Sequence, residues 1–277
     1  MSATVPAVLS IAGSDSGGGA GIQADLKAFA ACGVHGMTAI TALTAQNTLT
    51  VTGIQSVPAA FIVEQVRAVH DDIGVDAVKI GMLGTAATVA AVSEALDLLA
   101  PGTPIVIDPV MVAENGAALL DDPARRALVE LLFPRATVIT PNVPEARVLA
   151  AAVTSEQGLG PGALAMALHQ LGPANVVVTG GHRDEATDLL FDGIMLHPIP
   201  GPRHPDGAAH GSGCTHSSAL AAHLALGFTP LEAARAAKRI ASEAVRNGLR
   251  DIGNGPGPVD VIDLASRRAS AVVGPLS

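Results

Sequence analysis

Two rhythms of apolar and polar positions alternate along the chain. Short, nearly unbroken apolar runs occur at 7–12, 34–44, 75–80, 104–108, 136–140 and 174–179, each ending at a polar residue or glycine. Such runs predict strands covered on both faces. Between them lie longer Ala/Leu-rich amphipathic segments, which predict helices over 20–32, 59–72, 86–99, 122–132, 143–151 and 161–171. Strands alternating with helices imply βαβ units, a parallel sheet and helices on both faces. The rhythm changes near residue 186. TDLLFD (187–192) and IMLHPI (194–199) flank Gly193 and predict a hairpin, followed by a Pro/Gly/His loop (200–211) and two closing helices, 212–226 and 229–248. No long linker or internal repeat interrupts the pattern, so a single domain over 1–277 is expected. Loops 112–121 and 200–210, rich in Gly and Pro, are candidate lids.

Composition narrows the classes. With 277 residues, 49% hydrophobic and 15% charged, the chain is too apolar for disorder and long enough for a sizeable core. Aromatics are 2%, with no Trp or Tyr, which disfavours base-stacking platforms. A net charge of −9 leaves no basic stripe for a phosphate backbone, so no nucleic-acid partner is expected. Two distant cysteines, Cys32 and Cys214, exclude a disulfide scaffold and a zinc site. Residues 28–63 carry no formal charge, but Gly, Pro, Gln and Asn break the stretch, and no membrane span is expected. The N-terminus has no secretory pattern, and a cytoplasmic protein is expected.

In doubly wound sheets ligands bind beyond the carboxyl ends of the strands, and the unusual residues cluster there. AGSDSGGGAGIQAD (12–25) places Gly13 and four further glycines between a strand and a helix, where backbone can approach a ligand closely. It lacks the Gly-Lys-Ser/Thr of a Walker A loop. Read as a dinucleotide fingerprint it lacks the acid expected near Gln46 and Asn47; a tight turn is the plain alternative. Gln46 can donate and accept towards a heteroaromatic ring or be an ordinary loop residue. Asp108 ends an apolar strand and could hold Mg²⁺ or cap a turn. Asn142 and Glu145 form either a capping box or part of a Mg²⁺–phosphate site. HGSGCT (210–215) opens an apolar helix, and the consecutive amides of Gly211, Ser212, Gly213 and Cys214 make an anion cradle. There the helix dipole is expected to lower the Cys214 thiol pKa. Together these features suggest phosphoryl transfer.

IAGSDSGGGAGIQADLK (11–27), ITALTAQNT (40–48), VKIGML (78–83), VIDPVM (106–111), ITPNVPEA (139–146), GGH (180–182), HGSGCT (210–215) and GPGPV (255–259) resemble, in order, the hydroxymethylpyrimidine/phosphomethylpyrimidine kinases of thiamine biosynthesis. The resemblance implies a ribokinase-like three-layer αβα sandwich with a mainly parallel central sheet. It also implies two successive transfers from ATP, with Mg²⁺, to 4-amino-5-hydroxymethyl-2-methylpyrimidine, a small-molecule substrate, and it suggests a homodimer. Carried over residue by residue, Asp25 and Gln46 would hydrogen-bond the aminopyrimidine, Gly13 would line its pocket, and Met82 and Val110 would pack on the ring. Gly211, Ser212, Gly213 and Cys214 would form the anion hole, with Cys214 where related sugar kinases carry an Asp base. Asn142, Glu145 and Asp108 would organise Mg²⁺. Thr179 and Gly181 fall at the nucleotide phosphates, and Thr179 stands where the family often has Lys; Lys238, on the last long helix, reads as a surface residue. Pyridoxal kinase is the main alternative. A non-catalytic pyrimidine or pyridoxal phosphate binder is a further one, and a dinucleotide oxidoreductase is remote.

Overall fold

The structure is a computed structural model that describes residues 5–112, 119–180, 186–205, 207–264 and 266–268. Nine strands form one sheet in the order β3-β2-β1-β4-β5-β6-β7-β8-β9. The strands are β1 (Ala7–Asp15), β2 (His35–Gln46), β3 (Val51–Ser56), β4 (Ala77–Ile80), β5 (Ile105–Ile107), β6 (Val138–Ile139), β7 (Asn175–Val178), β8 (Asp188–Phe191) and β9 (Leu196–Ile199). From β2 through β1 and β4 to β7 every pairing is parallel, whereas β3, β8 and β9 run antiparallel at the edges.

The period-two alternation of the strands sends side chains into two separate cores. Leu9, Ile11, Val78, Ile80, Ile107 and Val176 face one side. There they meet α2 (Ala59–Asp72), α3 (Ala86–Leu96), α4 (Asp122–Ala127), α5 (Val143–Ala150) and α6 (Pro161–His169). Val8, Ala77, Val106, Val138 and Val177 face the other side, against α1 (Gly21–Ala31), α7 (Ser212–Ala225) and α8 (Pro230–Arg246). The expected αβα sandwich is therefore present. Among the described residues no helix is long and apolar enough to cross a membrane.

Two elements differ from expectation. β3 has no apolar signature because nearly all of its residues are exposed. The helix predicted over 122–132 is α4 followed by a π-helical turn, Leu128–Leu132, and a 3₁₀ turn, Phe133–Arg135. Pro134, with no amide hydrogen to donate, sits in that last turn. The described part of the loop 200–210 packs on α8: His204 Nε2 lies 2.9 Å from Ser242 Oγ, and a Cβ on Gly207 would come 2.7 Å from Val245 Cγ1. Most of the loop 112–121 lies outside the described residues.

The sheet contains one cation within its apolar strands. Lys79 on β4 is fully buried and its ammonium lies 2.9 and 3.0 Å from the two carboxylate oxygens of Asp25 on α1. Ser10 of β1 and Ser218 of α7 donate to the same carboxylate at 2.6 and 2.7 Å. The pair joins β1, β4, α1 and α7. Lys79→Met would leave Asp25 buried without its cation, at a cost of about 3–5 kcal/mol. Replacing both residues with apolar ones of similar volume should recover most of that loss, as read from urea unfolding. A Lys79→Met protein as stable as its parent would contradict the assignment.

Candidate active site

The glycine-rich turn after β1 is organised from within. The Asp15 carboxylate, almost fully buried, accepts the amides of Gly17 (2.8 Å), Gly19 (3.0 Å) and Ala20 (2.8 Å). These amides are thus taken by the protein itself. Burial pushes the Asp15 carboxyl up, but the hydrogen bonds from His210, Ala20 and Gly17 outweigh it and hold the group below the usual carboxylate range. His210 Nε2 stands 3.3 Å from Asp15 Oδ2 and so pins the turn to the segment before α7.

That contact decides where the second loop sits. Gly211 caps α7 in the left-handed region, φ +82°, and a Cβ there would run into the Gly19 carbonyl oxygen. The closing segment holds the same place: the His210 amide donates to Gly257, and the Val259 amide donates back to His210. First-turn amides have no partner in the helix ladder, so those of Gly213 and Cys214 suit an oxyanion. The Ser212 amide departs from the expected cradle, since it donates to the Ala209 carbonyl at 2.9 Å.

Cys214 is a half-buried free thiol at the start of α7. The Gly21 amide at the start of α1 faces its sulfur, and Lys79 adds positive potential. Burial nevertheless dominates, reinforced by the Asp25 and Asp108 carboxylates, and the thiol is pushed up to about 12. The expectation of a lowered pKa is therefore reversed: the Gly21 amide and the Lys79 charge do not offset the loss of water. Cys32 is likewise a half-buried free thiol, which burial pushes up to about 11.

Asp108, at the end of β5, is buried and accepts from Ser217 Oγ at 3.1 Å. A Cβ on Gly213 would lie 3.8 Å from its Oδ2. Asn142 and Glu145 form a complete capping box at the start of α5: the Glu145 amide donates to Asn142 Oδ1 (2.9 Å) and the Asn142 amide to Glu145 Oε2 (3.0 Å). Burial and the Asp108 charge push Glu145 up to about 8, and Asp108 is also raised, first by burial. A half-buried carboxylate whose proton affinity is raised by a buried one matches the donor chemistry of a hard dication. Among the described residues no group of three or more His, Cys, Asp or Glu could hold a metal. Such an ion would need phosphate oxygens and water to complete its shell.

On the other rim, a Cβ on Gly13 would meet Met82 Cε at 2.5 Å, and Thr41 Oγ1 donates to the Met82 carbonyl at 2.8 Å. Gln46 is half-buried; its amide and carbonyl are both bound by the Ser16 hydroxyl at 2.8 Å, and Thr44 donates to its side-chain oxygen at 3.2 Å. Half-buried Val110 follows Asp108. Asp25 does not join this rim. Lys79, Ser10 and Ser218 saturate its carboxylate in the core, so it is a structural anchor and not the open pyrimidine ligand that was expected.

Thr179 lies beside Asn142, its amide donating to the Pro141 carbonyl at 2.9 Å. Gly181 lies outside the described residues. Lys238, expected at the surface, is turned inward, with its side chain 12% exposed and its ammonium 2.7 Å from Asp188. Asp15, Lys79 and Asp188 were missed as organising residues. Lys79 had a signal, a charge inside an apolar strand; Asp15 had none beyond its place in the glycine run.

Residues 15–260 match the family model for phosphomethylpyrimidine kinase. The chain belongs to that family. A hydroxymethylpyrimidine/phosphomethylpyrimidine kinase of Rhizobium meliloti is 47% identical over 254 residues, covering 91% of this chain and 95% of that protein. The thiamine biosynthesis bifunctional protein ThiED of Geobacter sulfurreducens is 46% identical over 92% of this chain, which spans only 52% of that longer protein. Among solved structures, the ADP complex of Bacillus subtilis pyridoxal kinase superposes with a TM-score of 0.84 at 36% identity, covering 95% of this chain and 99% of that one. The ribokinase-like fold implied by the sequence is thus that of known kinases.

Because Glu145 holds its proton more tightly folded than unfolded, its contribution to stability is full below its ordinary value of 4.5 and is lost as pH rises towards about 8. Glu145→Gln mimics the protonated form, so the variant should gain stability relative to its parent across that window. Urea midpoints measured against pH would show this, and parallel curves for the two proteins would rule it out.

Proposed function

We propose that this protein phosphorylates 4-amino-5-hydroxymethyl-2-methylpyrimidine to its monophosphate and then its diphosphate, in thiamine biosynthesis, with ATP as donor. The observation that carries the reading is the juxtaposition at the start of α7. Gly213, in the first turn of α7, lies beside Asp108, where a Cβ would come 3.8 Å from its Oδ2, and the left-handed Gly211 locks that turn against the glycine-rich loop. In phosphoryl transfer most of the catalysis is positioning and charge stabilisation, which this geometry suits.

Asp108 and Glu145 would hold Mg²⁺, which when bound neutralises charge on the phosphates. Asn142 supports Glu145 through the capping box, and its side-chain oxygen is committed there. Gln46, Gly13, Met82 and Val110 would form the pyrimidine side of the site. Cys214, protonated at neutral pH, would act by placing a hydrogen bond next to the acceptor hydroxyl; a loose transition state needs little prior proton removal. Thr179 would meet the nucleotide as a neutral donor.

Product-resolved turnover tests the reading. Hydroxymethylpyrimidine, its monophosphate and pyridoxal, each offered with ATP and Mg²⁺, would be followed by mass spectrometry. Mono- and diphosphate from the pyrimidine are expected. Phosphorylation of pyridoxal alone would move the acceptor to that vitamin, as the shared fold with a pyridoxal kinase allows. Cys214→Ser should retain pyrimidine binding and lose on the order of 10²-fold in kcat, the low end for a positioned acid–base group. Unchanged kinetics would remove Cys214 from the machinery.

A further inference from the structure

We propose that Asp188 is a positioning residue for the nucleotide side of the site, tying the exit of β7 to the helix that carries the anion-binding amides, with Lys238 as its charge partner. The proposal rests on the phosphotransfer reading above.

The placement follows from strand direction. β8 runs antiparallel to β7, with Leu189 opposite Val178, so its first residue, Asp188, lies where the parallel strands end. That is the ligand-binding side of such a sheet. The residue is 1% exposed, an unusual setting for a carboxylate unless it is fully partnered. Its Oδ1 accepts the Gly180 amide at 2.8 Å and the Lys238 ammonium at 2.7 Å. Its Oδ2 stands 3.3 Å from Nε2 of His216, two positions beyond Cys214 on α7. Burial pushes the carboxyl up, but His216, Lys238 and the Gly180 amide together hold it below the usual range, so it stays an anion.

One carboxylate thus meets β7's exit, α7 and α8. Gly180 tolerates no side chain here, since a Cβ would run into the Thr187 carbonyl oxygen. Its neighbour Thr179 pairs with Asn142, whose capping box holds Glu145. A shift of Asp188 would therefore move the wall formed by Thr179 and Asn142 relative to the amides of Gly213 and Cys214. Lys238 brings a cation to this exit, where the strand itself ends in neutral Thr179. A Cβ on Gly201 would come 2.7 Å from Lys238 Cε, so the side chain is packed as well as paired. Without the ammonium, a buried anion would be left unbalanced at a place meant for phosphates.

The test compares Lys238→Met, Lys238→Arg and Asp188→Ala with the parent. ADP affinity is read by calorimetry, and KM for ATP and for the pyrimidine alcohol by steady-state kinetics. Lys238→Met should weaken ADP binding and raise KM for ATP by about tenfold, with the pyrimidine KM within about twofold of the parent. Lys238→Arg, which keeps the charge, should recover most of the effect. Asp188→Ala should show the same split; if it does not fold, the two Lys238 variants decide. A loss of kcat in proportion to unfolded protein, with both KM values unchanged, would overturn the proposal. So would parental ADP affinity in Lys238→Met. A parent that neither bound ADP nor made product would overturn the phosphotransfer reading, and this proposal with it.

Discussion

The ion pair between Lys79 and Asp25 is the constraint on which the rest of the site depends. A buried ion pair is a weak source of net stability, because desolvation of both charges offsets their attraction. Its contribution here is geometric. With two serine hydroxyls added, the Asp25 carboxylate fixes the second turns of α1 and α7 against the centre of the sheet. Both helices begin at the carboxyl ends of the strands, and their first amides converge near Cys214. A hydrophobic contact in the same place would set distance but not direction. Charged hydrogen bonds set both.

Above that anchor the glycine-rich turn and the segment before α7 interlock. Asp15 gathers three amides of its own turn and meets His210 from the other segment. A side chain at Gly19 would run into the His210 ring, and one at Gly211 into the Gly19 carbonyl oxygen. Glycine is required at 211 for a second reason, the positive φ that turns the chain into α7. Rigidity of this kind would let main-chain amides serve an anion, as proposed above, without reorganising when charge develops.

The fold was largely legible because parallel strands buried on both faces read as apolar runs, and the helices between them are long and periodic. β3 escaped because an exposed edge strand shows neither alternation nor an apolar run. The site was legible as motifs and less so as contacts. Asp25 stands in a recognisable motif, but its partner lies 54 positions away on β4, so its commitment to the core could not be seen. His210 and Asp15 are 195 positions apart. Lys238 sits in a helix rich in Arg and Glu, where a charge usually faces water. Only the course of β8 and β9 beside α8 turns it inward. In each case the deciding partner is distant in sequence, and local pattern carries no information about it.

The high proton affinity of Cys214 also bears on how the site ages. Thiolates, not thiols, react with peroxides and disulfides. A sulfur whose pKa lies at about 12 presents only about one molecule in 10⁵ as thiolate at neutral pH. The same burial that makes this thiol hold its proton, and so denies it an easy role as a base, keeps the reactive thiolate scarce.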